Sequence, residues 1–302
     1  HRRRQRQMCI RDSPIPYGTD WMNWNGYIQG KRDAVTALHG EINSGGWVRV
    51  GYTCIINSTK SLFCWGHNAN GQLGLGNTTD QSSPVAVSFP NAGKVEKVAE
   101  SGGFTHHNCA IMTNGSLYCW GHNSNGELGI GSTTQQNTPQ LVNLGPGVKA
   151  VDVSVGAAFT CAVTDAGALM CWGSNVFGKL GIGSTSSTNH LTPQNAILPT
   201  NRKAVDVTLG RHFGYALLDN GDVVSWGRNH VGYLGTGDTA ERYSPTVVSL
   251  DSQRQVVSIS AGKQHGCIGY DNGSVVCTGR DIYGQQGRNS PGETNDLTFS
   301  YT

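Results

Sequence analysis

At 302 residues the chain can form one large all-β domain or two average ones. Charged residues are only 14% and glycines number 42, a balance that suits short strands and tight turns and not a long-helix protein. Of 22 Lys and Arg, five fall in residues 1–12 against Asp12 alone, so the remaining 17 basic and 19 acidic groups leave a body near −2; such a body has no general attraction for a phosphate backbone, and nucleic acid is not an expected partner.

In chain order, residues 1–13 come first. They hold Arg2, Arg3, Arg4, Arg6 and Arg11, then Met8-Cys9-Ile10-Arg11-Asp12-Ser13. The run resembles translated sequencing-adapter sequence and is set aside from fold reasoning; the alternative is a basic arm. The chain opens on His1, so the natural N-terminus is expected to lie beyond it. Residues 14–46 are expected to be a degenerate partial repeat or a linker. Within them, Asn25-Gly26-Tyr27-Ile28-Gln29-Gly30 faintly echoes Asn70-Gly71-Gln72-Leu73-Gly74. No apolar run approaches the roughly 18 residues that span a membrane.

Residues 47–302 repeat. Trp-Gly recurs at Trp65, Trp120, Trp172 and Trp226, with Thr278-Gly279 as a fifth copy, at steps of 55, 52, 54 and 52 residues. Each copy continues into a Gly-rich stretch, such as His122-Asn123-Ser124-Asn125-Gly126-Glu127-Leu128-Gly129. Upstream of each Trp-Gly the pattern predicts a hairpin with a three-residue loop. Gly115, Gly167, Gly221 and Gly273 occupy the loop's third, left-handed place. Lys60 stands there in copy one, so that hairpin is expected to be the least regular. Before it runs a half-buried strand, with Val151, Val153 and Val155, then Val205, Val207 and Leu209, then Val257, Ile259 and Ala261 on its apolar face. A short segment after the Gly-rich loop contains Pro84 or Pro245, suiting an edge. Four strands per repeat make one propeller blade. The expected fold is all-β, a β-propeller of four-stranded blades with about five clear blades in an incomplete ring.

The cysteines share that phase. Eight of nine form pairs spaced by ten: Cys54 with Cys64, Cys109 with Cys119, Cys161 with Cys171, and Cys267 with Cys277. With the loop at 165–167, residues 161 and 171 face each other in a non-hydrogen-bonded pair, where Cα atoms approach to about 4.5–5.5 Å, within disulfide reach. In copy four Tyr215 and Ser225 replace both cysteines together. Small buried thiols are one other reading. Metal ligands are another, but neighbouring blades hold the equivalent pairs far apart. Four disulfides are the reading taken, and they point to an oxidising location: extracellular or cell surface, with the periplasm as a further option.

Together, the Trp-Gly, the N-x-x-G-x-L-G stretch and the hairpin opening at Phe159-Thr160-Cys161-Ala162 resemble the regulator of chromosome condensation repeat over residues 47–302. The resemblance implies a propeller that has seven blades when complete. Its nuclear member implies guanine-nucleotide exchange or chromatin binding, which paired cysteines and a slightly acidic body argue against.

No nucleophile elbow, phosphate loop or H-E-x-x-H is present. No catalytic residue, metal site or cofactor is therefore expected. His67 and His122 read as solvated loop positions, and His106, His107 and His265 as structural. Asp152 and Asp206 read as strand-face residues and not a catalytic dyad. Phe104, Phe159 and Phe213 read as inter-blade filling. Four glycosylation sequons, at Asn57, Asn77, Asn114 and Asn272, carry little weight because Asn and Ser are common in turns. The sharper candidates lie between Asn and Gly of the Gly-rich loops: Val176 and Phe177, His230 and Val231, Ile282 and Tyr283. Large apolar groups in loops can anchor a partner, though they can equally pack blade on blade. The function read from the chain is a non-catalytic binding scaffold whose blade loops engage a protein or other macromolecule. An enzyme-inhibitor propeller is the remaining alternative.

Overall fold

Lys60 was the one departure from the glycine rule, and the hairpin around it shows what sets the turn. Its φ is +60°, beside +82° to +86° for Gly115, Gly167, Gly221 and Gly273. Its amide donates to Asn57 O at 2.9 Å, as Gly167 donates to Thr164 O at 2.8 Å. The Asn57 side chain accepts from the Thr59 and Ser61 amides at 3.1 and 2.8 Å, which holds the tip without a glycine. The first hairpin is therefore as regular as the others, contrary to expectation. A left-handed non-glycine residue costs about 1–2 kcal/mol, partly offset by the lower backbone entropy of Lys in the unfolded chain. Lys60→Gly is expected to raise stability by about 0.5 kcal/mol, read as the urea midpoint at unchanged slope.

In the computed structural model the described residues are 38–39, 51–90, 93–100, 106–186, 188–282, 284–287 and 296–301. The tail with Cys9, the Gly26 segment, Phe104 and Tyr283 lie outside them. The first sheet is β1 (Leu38–His39), β2 (Tyr52–Ile56), β3 (Leu62–Gly66) and β4 (Gln81–Ala86); β1 falls in the stretch read as partial repeat or linker. The second is β5 (Val95–Glu100), β6 (His107–Met112), β7 (Leu117–Gly121) and β8 (Gln136–Leu141). The third is β9 (Ala150–Gly156), β10 (Phe159–Thr164), β11 (Leu169–Gly173) and β12 (His190–Asn195). The fourth is β13 (Ala204–Leu209), β14 (Phe213–Leu218), β15 (Val223–Gly227) and β16 (Arg242–Val247). The fifth is β17 (Val256–Ala261), β18 (His265–Tyr270), β19 (Val275–Gly279) and β20 (Asp296–Tyr301). All five are antiparallel meanders in chain order. Strands β5, β9, β13 and β17 contact one another in succession, so the first strand of each blade faces the propeller axis. The last strand is the outer edge, where Pro84, Pro139, Pro193 and Pro245 sit; an edge tolerates their missing donors.

The alternation read for the first strands is off by a bulge. Val163 pairs with Asp152 but Thr164 pairs with Ala150, so Val151 is skipped. Equivalent shifts occur between Ala204 and Asp206 and between Val256 and Ser258. Val151, Val205 and Val257 therefore point outward, about half exposed, while Ala150, Ala204 and Val256 are buried. The extra residue flips one side of the pleat.

Each core lies between two blades. One cluster joins Phe159, Cys161, Val163, Leu169 and Cys171 to Ala204, Val207, Ala216 and Trp226. The four cysteine pairs face directly across β2–β3, β6–β7, β10–β11 and β18–β19. All are disulfides with Cα–Cα 4.1 Å. In the fourth blade Tyr215 faces Ser225. There the Tyr215 hydroxyl donates to Tyr233 O, and Ser225 Oγ donates to Leu234 O at 2.9 Å. Trp120, Trp172 and Trp226 each donate Nε1 to a backbone carbonyl of the preceding blade, Gln72, Glu127 and Lys179 respectively, at 2.8–2.9 Å. Thr278 replaces the bond with its hydroxyl, to Gly232 O at 3.0 Å. Phe159 and Phe213 are fully buried between blades. His107 shares that level, with Nε2 3.0 Å from Thr160 Oγ1 of the next blade. Burial holds its pKa down to about 4, so it is neutral and structural.

Candidate functional site

The strand order places two sets of loops at each end of the propeller. One end, the loop face, carries the turns between first and second strands and the Gly-rich loops between third and fourth. The other, the hairpin face, carries the three-residue turns. Loops on a rigid frame are where specificity is written.

The Gly-rich loops are built around one side chain that sequence reading passed over. Asn123 is fully buried. Its Nδ2 donates to Ser132 O and Thr134 O at 2.9 Å, and its Oδ1 accepts from Leu128 N at 3.0 Å. Asn68, Asn175 and Asn229 make equivalent bonds. In the fifth blade Asp281 accepts from Gln286 N at 2.8 Å. Repetition was the signal for this role, and the loop-closing geometry is its cause. With that residue inside, the next two residues are forced to the tip.

There the candidate residues separate. Val176 is 40% exposed. Phe177 follows it within a single 3-10 turn, Val176–Gly178, with φ +68°. Its ring is half-buried and lies 5.6 Å from His212 of the next blade, with the Arg228 guanidinium 4.5 Å from the ring centroid. His230 is exposed and meets Tyr233 edge-on at 5.1 Å. Val231 instead packs against the core of the fourth and fifth blades. Ile282 is half-buried.

The cations around Phe177 were not singled out from sequence. Burial first, then the charges of Lys179, Arg211, Arg228 and His230, holds His212 down at about 3. Burial, then Arg228 and Arg280, lowers His230. Among the described residues no carboxylate pairs with Arg228 or Arg280. Arg228 and Arg280 are equivalent to His67 and His122 in the repeat, which was visible. The approach of Arg228 to Phe177 and His212, and of Arg280 to His230, needed the blade packing.

His67 and His122 are not the solvated positions expected. His122 Nδ1 lies 2.6 Å from Glu127, a carboxylate with no exposed side-chain surface. That hydrogen bond raises His122 above its ordinary pKa. Burial alone would raise Glu127, but the bond from His122, with backbone hydrogen bonds beside it, outweighs it and holds it low. His67 packs edge-on against His106 at 5.8 Å and lies 3.3 Å from Asp80. Lys179 is buried, donates to Ala157 O at 2.7 Å, and is lowered to about 8 mainly by burial. Among the described residues no three His, Cys, Asp or Glu converge as metal ligands. No described helix is long and apolar enough to cross a membrane.

At the axis, Asp152 and Asp206 of adjacent blades hydrogen-bond each other. Asp152 also pairs with Lys97 and accepts from Val207 N at 2.9 Å. Burial, then Asp152, raises Asp206 to about 8. The folded state therefore keeps a proton that the unfolded state loses near pH 4. Asp206 stabilises fully below that, and stability falls as pH rises through about 8. A tenfold difference in proton affinity between the two states is worth about 1.4 kcal/mol, and solvent screening at this partly buried site reduces the total to about 2 kcal/mol. Asp206→Asn is expected to lose this pH dependence and to be the more stable protein at pH 8. Urea unfolding of both proteins at pH 5 and pH 8, disulfides intact, measures it.

Residues 52–300 match the RCC1-like domain family. The Ultraviolet-B receptor UVR8 of Arabidopsis thaliana is 32% identical over 235 residues, 78% of this chain and 52% of the receptor. The Secretion-regulating guanine nucleotide exchange factor of Bos taurus is 30% identical over 240 residues, 76% of this chain and 50% of that protein. The chain thus spans about half the length of these curated relatives. Among solved structures, human WBSCR16 superposes with TM-score 0.73 at 20% identity, covering 83% of this chain and 64% of that one. Yeast Prp20p, whose binding to Gsp1p and histones has been described, superposes with TM-score 0.68 at 22% identity, covering 83% and 63%. At these identities the superpositions show the fold alone.

Proposed function

Because the chain belongs to the RCC1-like domain family, we propose that it is a non-catalytic binding scaffold, extracellular or on the cell surface, engaging a macromolecular partner through its loop face. The observation that carries this reading is the contrast within one loop. Asn175, Gly178 and Leu180 are committed to the frame, while Val176 and Phe177 are lifted to the tip, Val176 exposed and Phe177 half-buried. A frame that repeats while its tips vary writes specificity without altering the fold. Four disulfides support an oxidising compartment. The relatives favour a second reading, exchange on a small GTPase, because one of them is an exchange factor.

A photo-crosslinking residue at Val176, compared with one at Asp165 on the hairpin face, tests the first reading. The chain is displayed on intact cells through the secretory route. A discrete adduct from position 176 and none from 165 is expected. Crosslinking from 165 alone, or accelerated nucleotide release from a small GTPase, would overturn it.

A further inference from the structure

Phe177 spends conformational energy where its equivalents do not. A non-glycine residue at φ +68° is strained by about 1–2 kcal/mol. None of the equivalent tip residues Asn70, Asn125 and Val231 has positive φ. The strain does not serve burial, since the ring stays half-buried. It does hold the ring under Arg228 and against His212.

Basic residues gather on this part of the loop face. Arg211 and His212 come from the turn opening the fourth blade, Arg228 from the start of its Gly-rich loop, and Arg280 from the same place in the fifth. Arg280 is fixed by Gln264, whose Oε1 accepts from Nη1 at 2.6 Å. Among the described residues Glu127 is engaged with His122, Asp80 with His67 and Asp238 with Arg242 at 2.7 Å, while Asp281, next to Arg280, is buried and accepts from Gln286 N.

We propose that the pad formed by Phe177, Arg211, His212 and Arg228, continued past His230 toward Arg280, docks an acidic segment of a partner protein. This rests on the loop-face reading above and names the chemistry it would recognise. The Arg228 guanidinium over the Phe177 ring presents a fixed fork that matches a carboxylate. The ring adds an apolar contact that a bare basic patch lacks. The positive region is local, on a body near −2 outside the first twelve residues. A short acidic segment can meet the pad and leave, whereas an extended polyanion would run onto the acidic remainder.

The test uses the full chain with disulfides intact and three fluorescent probes: a Glu-rich peptide, its Gln counterpart, and a single-stranded oligonucleotide of equal charge. Binding of the Glu peptide is expected to weaken with salt. It should fall about tenfold in Arg228→Ala and in Arg280→Ala, but not in Arg202→Ala on the hairpin face. Phe177→Gly, which relieves the backbone and removes the ring, should fold at least as stably and also bind more weakly. Equal binding of the Gln peptide, no binding of the Glu peptide, or indifference to all pad variants overturns the proposal. So does tighter binding of the oligonucleotide lost in the same variants. If the acidic peptide fails while the crosslink from position 176 persists, only the partner chemistry falls and the scaffold reading stands.

Discussion

Reduction of the four disulfides is expected to remove about 10 kcal/mol of stability, enough to unfold much of the chain at room temperature. Each bridge spans ten positions, and closing so short a loop is worth about 2.5–3 kcal/mol. Four together are comparable to the whole net stability of an ordinary domain, about 5–15 kcal/mol. All four lie within single hairpins, so none ties one blade to the next. The loss should therefore be patterned. Hydrogen exchange after reduction should rise in β2–β3, β6–β7, β10–β11 and β18–β19 before it rises in β14–β15. The fourth hairpin holds itself by Tyr215 and Ser225, whose hydroxyls bond Tyr233 O and Leu234 O. Intact mass should rise by about eight hydrogens as the urea midpoint falls. An unchanged midpoint at complete reduction would show that the bridges only decorate hairpins already stable.

The sequence was most legible where a physical requirement recurred at one phase. Trp-Gly, the turn glycines and the cysteine spacing each demand the same geometry in blade after blade, and the blades follow from them. It was least legible where a single residue broke a pattern for a local reason. Lys60 accepts a left-handed backbone because Asn57 caps its turn. Val151, Val205 and Val257 face outward because a bulge precedes the regular pleat. Neither leaves a compositional trace. The candidate site was half visible. Val176, Phe177 and His230 stood out as irregular tips in a regular motif. Arg211 and Arg228 did not, because their place beside Phe177 and His212 passes through contacts between repeats, and spacing along one chain does not encode which loop of one blade leans on which turn of the next. Val231 shows the converse: the same kind of tip residue was turned inward by its neighbours.

Trp172→Ala should be the most damaging single substitution of the repeat motif, at about 4 kcal/mol. The indole is fully buried against the second and third blades, and its N–H reaches Glu127 O at 2.9 Å. That carbonyl also accepts from Thr160 Oγ1 at 2.8 Å, so losing the indole does not leave it unpaired. The expected cost is therefore mostly cavity. The fifth blade shows how the bond and the volume come apart. Thr278 keeps the bond to the preceding blade through Gly232 O, while Tyr215, placed against Gly266 and 5.8 Å from Phe299, fills space beside it. The second blade, which precedes Trp172 as the fourth precedes Thr278, has Cys109 at the position of Tyr215, and no such ring to spare. Trp172→Thr should thus restore a donor but not the bulk, and lose nearly as much as Trp172→Ala. Denaturation of the oxidised proteins separates the two contributions. A mild Trp172→Thr beside a severe Trp172→Ala would assign the tryptophan's role to its hydrogen bond; near-equal losses assign it to volume, the result expected from a carbonyl that already has a second donor.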